Sequence, residues 1–223
     1  MKTINAKIIE ISNPSDDYYS IKLTTEDDFT WTAGQFAKFE LDDMPENQES
    51  RIFSIASTVD EGYILVGTRS RNEKISEFKK KFLNLEKGSM VKISGPMGNF
   101  CIKDETSPII LYASGVGITP VRSILNSIKN KNNRKIEIVY AADYYLYEEN
   151  LLEIVENNDA MNIYFTKTID ETTNKLKELS NLYKNEAYYY TSGAPFVIKA
   201  VEGNYLNWEI EKSRLCSDNF IGY

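Results

Sequence analysis

The chain has no histidine. That absence excludes Ser-His-Asp and Cys-His triads and every histidine-ligated metal site. Chemistry here must run on carboxylates, hydroxyls, lysine, tyrosine or a bound cofactor. Cysteine is nearly as scarce. The two present, Cys101 and Cys216, form no CxxC pair and are too few for an iron–sulfur cluster or a four-cysteine zinc site. No metal is expected, and both thiols read as buried, the usual habit of free cysteine. Positive charge is in deficit: 26 Lys and Arg face 33 Asp and Glu, a net charge of −7. A general nucleic-acid binder would show a basic face, so no nucleic-acid partner is expected. A local pocket for a small anion stays compatible with that balance. No apolar run approaches the ~20 residues that cross a bilayer, so no membrane insertion is expected. The N-terminal "MKTINAKIIEIS" alternates like a strand and lacks the apolar core and cleavage site of a signal peptide. A cytoplasmic location is the expectation.

What is present falls into two halves. The first hundred residues read as short strands, β-branched or aromatic and mostly alternating: "INAKIIEIS", "YYSIKLTT", "QFAKFEL", "RIFSIAS", "GYILVGT" and "MVKISG". One helix interrupts them, "ISEFKKKFLNL", with Ser76 as its N-cap and Ile75, Phe78, Phe82 and Leu85 on one face. Many short strands with one helix predict an antiparallel barrel or sandwich. After "GPMGNF" the rhythm changes. "PIILYA" is a fully apolar run, as in a parallel strand buried on both faces. The helix "PVRSILNSIKNK" follows, then strand "KIEIVYAA", helix "EENLLEIVEN", strand "MNIYFTKT", helix "TNKLKELSNLY", strand "AYYYTSG" and helix "PFVIKAVEGNYL". This βα alternation predicts a doubly wound parallel sheet. The expected domains are residues 1–103 and 104–223.

The stretch "SGVGITP" carries the first chemical signal. A strand hands over to a helix through Gly115 and Gly117, with Pro120 at the first helical turn. Glycines let a backbone approach a pyrophosphate, and a helix N-terminus offers unpaired N–H groups. Proline suits that first turn because its missing N–H has no partner to lose. A plain tight βα turn is the alternative, since proline stands where the third glycine of the dinucleotide fingerprint would be. In "RIFSIAS", strand alternation puts Arg51 and Phe53 on one face and Ser54 on the other.

Taken in order, "RIFSIAS", "GPMGNF", "SGVGITP", "SGAP" and "NFIGY" resemble the motifs of the ferredoxin–NADP reductase family along nearly the whole chain. Arg51, Phe53 and Ser54 match its Arg-x-aromatic-Ser motif. Ala33-Gly34-Gln35-Phe36 matches its Pro-Gly-Gln-Phe strand start, with Ala for Pro. "EKIS" matches its Gly-x-x-Ser helix start in part, with Glu73 in place of glycine. "SGAP" falls where the family often has Cys-Gly-x-Pro, with Ser192 in place of cysteine ahead of Gly193 and Pro195.

The resemblance implies an N-terminal antiparallel β-barrel that binds flavin and a C-terminal Rossmann-like α/β domain that binds NAD(P)H. On that reading Arg51 pairs with flavin phosphate, a bidentate task suited to guanidinium. Ser76 meets the same phosphates, and Gly67, Thr68, Lys74 and Ile75 belong to the same cofactor-binding set. Phe53 packs against the isoalloxazine, and Ser54 sits near flavin N5. Thr119 lies between flavin and nicotinamide, while Gly115, Gly117 and Pro120 form the nucleotide turn. Ser192, Gly193 and Pro195 position the nicotinamide. Tyr223 stacks over the flavin face, and Asp218 relays a proton. The catalytic set is then Ser54, Thr119, Ser192, Asp218 and Tyr223. FAD follows the family's habit, with FMN open. Asp143 after the second parallel strand favours NADH by accepting from the ribose 2′-OH, while Lys167 in "FTKT" would attract the 2′-phosphate of NADPH.

Hydride transfer between nicotinamide and flavin needs alignment more than acid–base groups, so a histidine-free site is no obstacle. The expected function is a flavin-dependent NAD(P)H oxidoreductase that passes electrons to a separate, unidentified acceptor. The alternatives are an electron-transfer subunit of a larger complex, inactive alone, and a nucleotide- or redox-sensing module without turnover.

Overall fold

Alternation in the first strand sets the architecture of the N-terminal half. In the computed structural model, which describes residues 1–26, 28–45, 47–70, 75–131 and 133–219, Ile4, Ala6 and Ile8 all turn inward and are buried. They lie on β1 (Lys2–Ser15), followed by β2 (Tyr18–Leu23), β3 (Phe36–Glu40), β4 (Ser50–Ser54) and β5 (Ile64–Arg69). A short helix, α1 (Glu77–Leu83), precedes β6 (Met90–Met97). The sheet order is β4-β3-β6-β1-β2-β5, and every neighbouring pair is antiparallel. Strand β1 serves two partners: its residues from Lys2 to Lys7 pair with β6, and those from Ile8 to Ser15 pair with β2. Register shifts after Ile8 and after Ser12 bend the strand between those tasks. The chain leaving β4 closes the barrel onto β5, where the Ala56 N–H donates to the Leu65 carbonyl at 2.7 Å.

Phenylalanine fills one end of this barrel. Phe78 and Phe82, four residues apart on α1, are both fully buried and meet Phe53 and Phe39. The helix is shorter than its apolar pattern suggests. Ser76 caps it by accepting from the Lys79 N–H, and Asn84 ends it, so Ile75 and Leu85 lie outside it and are only half-buried.

The C-terminal half runs β7 (Ile109–Ser114), α2 (Ile118–Ile128), β8 (Ile136–Ala141), α3 (Glu148–Glu156), β9 (Met161–Thr166), α4 (Ile169–Tyr183), β10 (Tyr188–Gly193), α5 (Pro195–Asn207) and β11 (Leu215–Asn219). The order β11-β10-β7-β8-β9 is parallel throughout. Central strand β7 is buried from Ile109 to Ala113, as its unbroken apolar run requires. The antiparallel barrel and the parallel α/β sheet are the folds expected from the motifs. Contacts divide the chain into compact units Met1–Cys101 and Ile102–Tyr223.

Two local expectations need correction, and one strand carries no local signal. The alternation pattern does not announce β11; it forms because Leu215–Asn219 pairs along β10. Helix α4 starts at Ile169 rather than near Thr173, because Thr168 and Glu171 form a reciprocal capping box. Cys216 is buried, and burial pushes its thiol above the ordinary range, but Cys101 is only half-buried.

Candidate functional site

Chain order marks one end of the C-terminal sheet as the place for a ligand. From β7 the chain moves outward through β8 to β9, then returns to lay β10 on the other side of β7. The carboxyl ends of β7 and β10 therefore flank a topological switch point, the place where open α/β sheets take ligands. Ser114–Gly117 and Ser192–Gly193 both end there. Gly115 has φ +55°, a left-handed backbone that glycine supplies without strain. Gly117 has another reason to be glycine: a Cβ there would lie 2.2 Å from the Ser192 carbonyl oxygen and 2.9 Å from the Gly193 nitrogen. A side chain on Gly193 would meet Ser114 Cβ at 2.9 Å. The "SGVG" and "SGAP" segments thus pack backbone to backbone.

Helix α2 begins at Ile118, so Pro120 is its third residue rather than its first. Proline is still tolerated there, because the first four helical N–H groups have no intrahelical acceptor. Thr119 is 1% exposed and its Oγ1 donates to the Val116 carbonyl at 3.0 Å. Its hydroxyl is committed within its own turn. Ser192 is fully buried, and its Oγ has no hydrogen-bond partner among the described residues. Asp218 stands beside it in register on β11. Pro195 opens α5 at its first position. Asp143 is exposed just past β8, and Lys167 is exposed just past β9, where its backbone N–H donates to Glu171 Oε2 at 2.9 Å.

In the barrel unit, Arg51 sits on β4 with its Nη1 donating to the Ser50 carbonyl at 2.7 Å and its guanidinium 5.8 Å from the Phe78 ring centroid. Among the described residues no carboxylate forms an ion pair with it. Lys79 joins it, although no sequence motif marks that residue. Its Nζ donates to the Arg69 carbonyl at 3.0 Å, and burial together with the Arg51 charge pushes its ammonium from the usual 10.5 down to about 8. Two cations that disfavour each other, next to Ser76, fit a phosphate-bearing ligand.

Phe53 packs into the phenylalanine cluster of the barrel. It is 6% exposed, with its ring 5.5 Å from Phe82 and 5.3 Å from Phe39. Alternation groups it with Arg51, but it is the inward end of that face and belongs to the core. Ser54 is buried at the end of β4. Gly67 and Thr68 lie in the buried run of β5. Ile75 and Ser76 are half-buried at the start of α1, and Lys74, Glu73 and Tyr223 lie outside the described residues.

These features define a two-unit fold of the ferredoxin–NADP reductase kind, an antiparallel barrel followed by a parallel α/β sheet. Residues 111–202, which contain the glycine turn and Ser192, match the family model of the oxidoreductase NAD-binding domain. The whole chain superposes on a ferredoxin–NADP+ reductase from Plasmodium falciparum with a TM-score of 0.80 at 20% identity, covering 98% of this chain and 96% of that one. It superposes on a cytochrome P450 reductase from Amycolatopsis with a TM-score of 0.84 at 18% identity, covering 98% and 70%. Among curated sequences it is 27% identical over 199 residues to one subunit of a Na(+)-translocating NADH-quinone reductase from Actinobacillus pleuropneumoniae, covering 77% of this chain and 49% of the relative. It is 23% identical over 155 residues to the CDP-6-deoxy-L-threo-D-glycero-4-hexulose-3-dehydrase reductase of Yersinia pestis, covering 63% and 46%. The chain thus spans about half the length of such relatives. The family likeness read from the motifs is borne out by fold and domain match.

Proposed function

We propose that the chain is a flavin-dependent NAD(P)H oxidoreductase. When bound, the flavin supplies hydride acceptance at N5 and onward electron transfer to a separate acceptor. The second unit holds the nicotinamide nucleotide. The Gly115–Gly117 turn lets the pyrophosphate approach the backbone ahead of α2, at the positive end of that helix. Ser192, Gly193 and Pro195 orient the nicotinamide, with the buried Ser192 Oγ as an unused polar group and Asp218 beside it as a proton relay. Arg51 and Lys79, with Ser76, hold the flavin phosphate, FAD being preferred to FMN. Ser54, Gly67, Thr68 and Ile75 serve flavin binding in the barrel unit and Thr119 serves nicotinamide positioning in the α/β unit, while the roles expected of Lys74 and Tyr223 rest on the motif resemblance alone.

The observation that carries this reading is the glycine turn closed against Ser192–Gly193 at the switch point, inside the stretch that matches an oxidoreductase NAD-binding domain. NADH is the preferred coenzyme. Asp143 stands exposed after β8, and the charge of Lys167 is offset by the Glu171 carboxylate that its own N–H helps to hold. The test is the absorbance spectrum of the full chain with added FAD or FMN, before and after NADH or NADPH under argon. Bleaching of the flavin band, faster with NADH, is expected. A chain that neither binds flavin nor oxidises either coenzyme contradicts the proposal.

A second reading is favoured by one observation: the chain matches only part of its relatives, one of which belongs to a larger complex. On that reading it is an electron-transfer component of such a complex, and turnover needs a partner protein. A flavin band that bleaches with NADH but passes electrons on only when that partner is added supports it. Among the described residues no helix is long and apolar enough to cross a membrane, and the proposal includes a cytoplasmic location.

A further inference from the structure

The N-terminal ends of the parallel strands, about 20 Å from the glycine turn across six-residue strands, hold a second polar centre. Arg134 lies just before β8 and is 8% exposed. Its Nε donates to the Glu105 carbonyl at 3.0 Å, and its Nη2 donates to the Asp104 carbonyl and lies 3.5 Å from Asp104 Oδ1. Its Nη1 is buried and has no partner among the described residues. A buried guanidinium nitrogen without an acceptor is costly, and such a group calls for a bound ion or water.

Arg134 also lines two adjoining cavities. One, of about 480 Å³, adds Lys135, Asn133 and Asp159; the other, of about 370 Å³, adds Lys103 and Lys131. Opposing carboxylates are present but partly committed. Asp104 accepts from the Thr106 and Ser107 N–H groups at 3.0 and 2.8 Å and from the Ser107 hydroxyl at 2.5 Å. Asp159 lines the first cavity and Glu105 the second, so the walls carry Lys103, Lys131, Arg134 and Lys135 against Asp104, Glu105 and Asp159. The buried donor left over in this corner belongs to Arg134.

We propose that this corner of the C-terminal unit is an oxyanion site, distinct from the nucleotide end, in which Arg134 Nη1 and the neighbouring lysines bind a phosphate or carboxylate group. The planar guanidinium matches either oxyanion, and the exposed lysines supply charge without fixed geometry.

The test uses the full chain and inorganic phosphate. Melting temperature and calorimetric titration are measured against sodium chloride of matched ionic strength, with acetate as a parallel arm. Phosphate is expected to raise the melting temperature above the chloride control by ligand linkage. The double variant Lys131→Ala/Lys135→Ala, which changes only exposed side chains, is expected to weaken phosphate binding about tenfold. Arg134→Gln is expected to abolish the response. If that variant fails to fold, because it also releases the 104–105 carbonyls, the lysine pair alone decides. A response to acetate that exceeds that to phosphate assigns a carboxylate ligand, a response to phosphate alone assigns a phosphoryl one, and equal responses assign a site that takes either oxyanion. No response to either anion overturns the proposal. So does an unchanged phosphate affinity in the double variant, since the anion would then be held elsewhere.

Discussion

Gly117 sits so close to Ser192 that the position has room for hydrogen alone: a Cβ would fall 2.2 Å from the serine carbonyl oxygen and 2.6 Å from its carbon. Both neighbours are backbone, at the end of a strand locked between β7 and β11, and cannot swing aside. Gly117→Ala should therefore destabilise the C-terminal unit by about 2 kcal/mol or more, at the upper side of overpacking costs. It should also raise the KM for NADH, because relief requires opening the turn. Urea unfolding and steady-state kinetics check this, and a variant with unaltered stability and KM would show that the two segments do not pack as described.

Among the described residues Arg51 bonds only to a neighbouring carbonyl and a ring face, so its charge is open to a ligand. Arg51→Ala should weaken flavin binding at least tenfold, the loss typical of one charge-assisted contact. Melting temperature without flavin should change little. Fluorescence titration of FAD against wild type and variant measures the difference.

Lys79 gives a pH signature. Its folded pKa of about 8 lies below the usual 10.5. Between those values the unfolded chain binds more protons than the folded one, so stability rises with pH there. Below pH 8 the buried ammonium is a constant penalty; above 10.5 the penalty is gone. Relative to Lys79→Met, the wild type without flavin should gain stability from pH 8 to pH 10. Urea midpoints for both proteins across that range are the check, and parallel curves would mean that the lysine is not held as a disfavoured cation.

Glu137 is a buried carboxylate that no part of the proposed chemistry uses. It accepts from Tyr183 Oη at 2.7 Å, Tyr164 Oη at 3.2 Å and Asn162 Nδ2 at 3.4 Å, and burial followed by this carboxylate pushes both phenols above their ordinary range. Glu137→Leu would take the shared acceptor from two half-buried hydroxyls and should cost about 1 kcal/mol or more in all, since water can replace part of the loss. Glu137→Gln keeps an acceptor and should cost clearly less. Equal losses in chemical denaturation would show that the carboxylate is not the hub joining β9 to the end of α4.

Coenzyme choice is testable at Asp143. Asp143→Ser removes one negative charge from the exposed end of β8, so kcat/KM for NADPH should rise several-fold while that for NADH falls. Kinetics with both coenzymes decide it, and an unaltered ratio would remove Asp143 from the ribose site.

Patterns that depend on near neighbours are legible in the chain. The barrel strands show alternation, β7 shows an unbroken apolar run, and Ser76 marks the cap of α1. The glycine turn and "SGAP" are recognisable as separate segments, and their fit to a reductase comes from their order. Other features depend on distant partners and leave little local trace. Leu215–Asn219 is a strand because β10 offers it a free edge. Alternation places Phe53 on one face with Arg51, but it does not say that Phe53 is buried among Phe39, Phe78 and Phe82. Lys79 reads as one of several lysines on a helix until folding brings it beside Arg51 and under the Arg69 carbonyl.

The sequence by itself determined the chemistry that is excluded, through the lack of histidine and the scarcity of cysteine, and it determined the two-part architecture, because residue type and short-range periodicity decide both. Only the tertiary structure decided that the Gly117 and Ser192 backbones touch, that Thr119 spends its hydroxyl on its own turn, and that Arg134 is left with a donor unanswered among the described residues. Those outcomes arise where segments far apart in the chain compete for the same space and the same hydrogen bonds, and no local pattern encodes the winner.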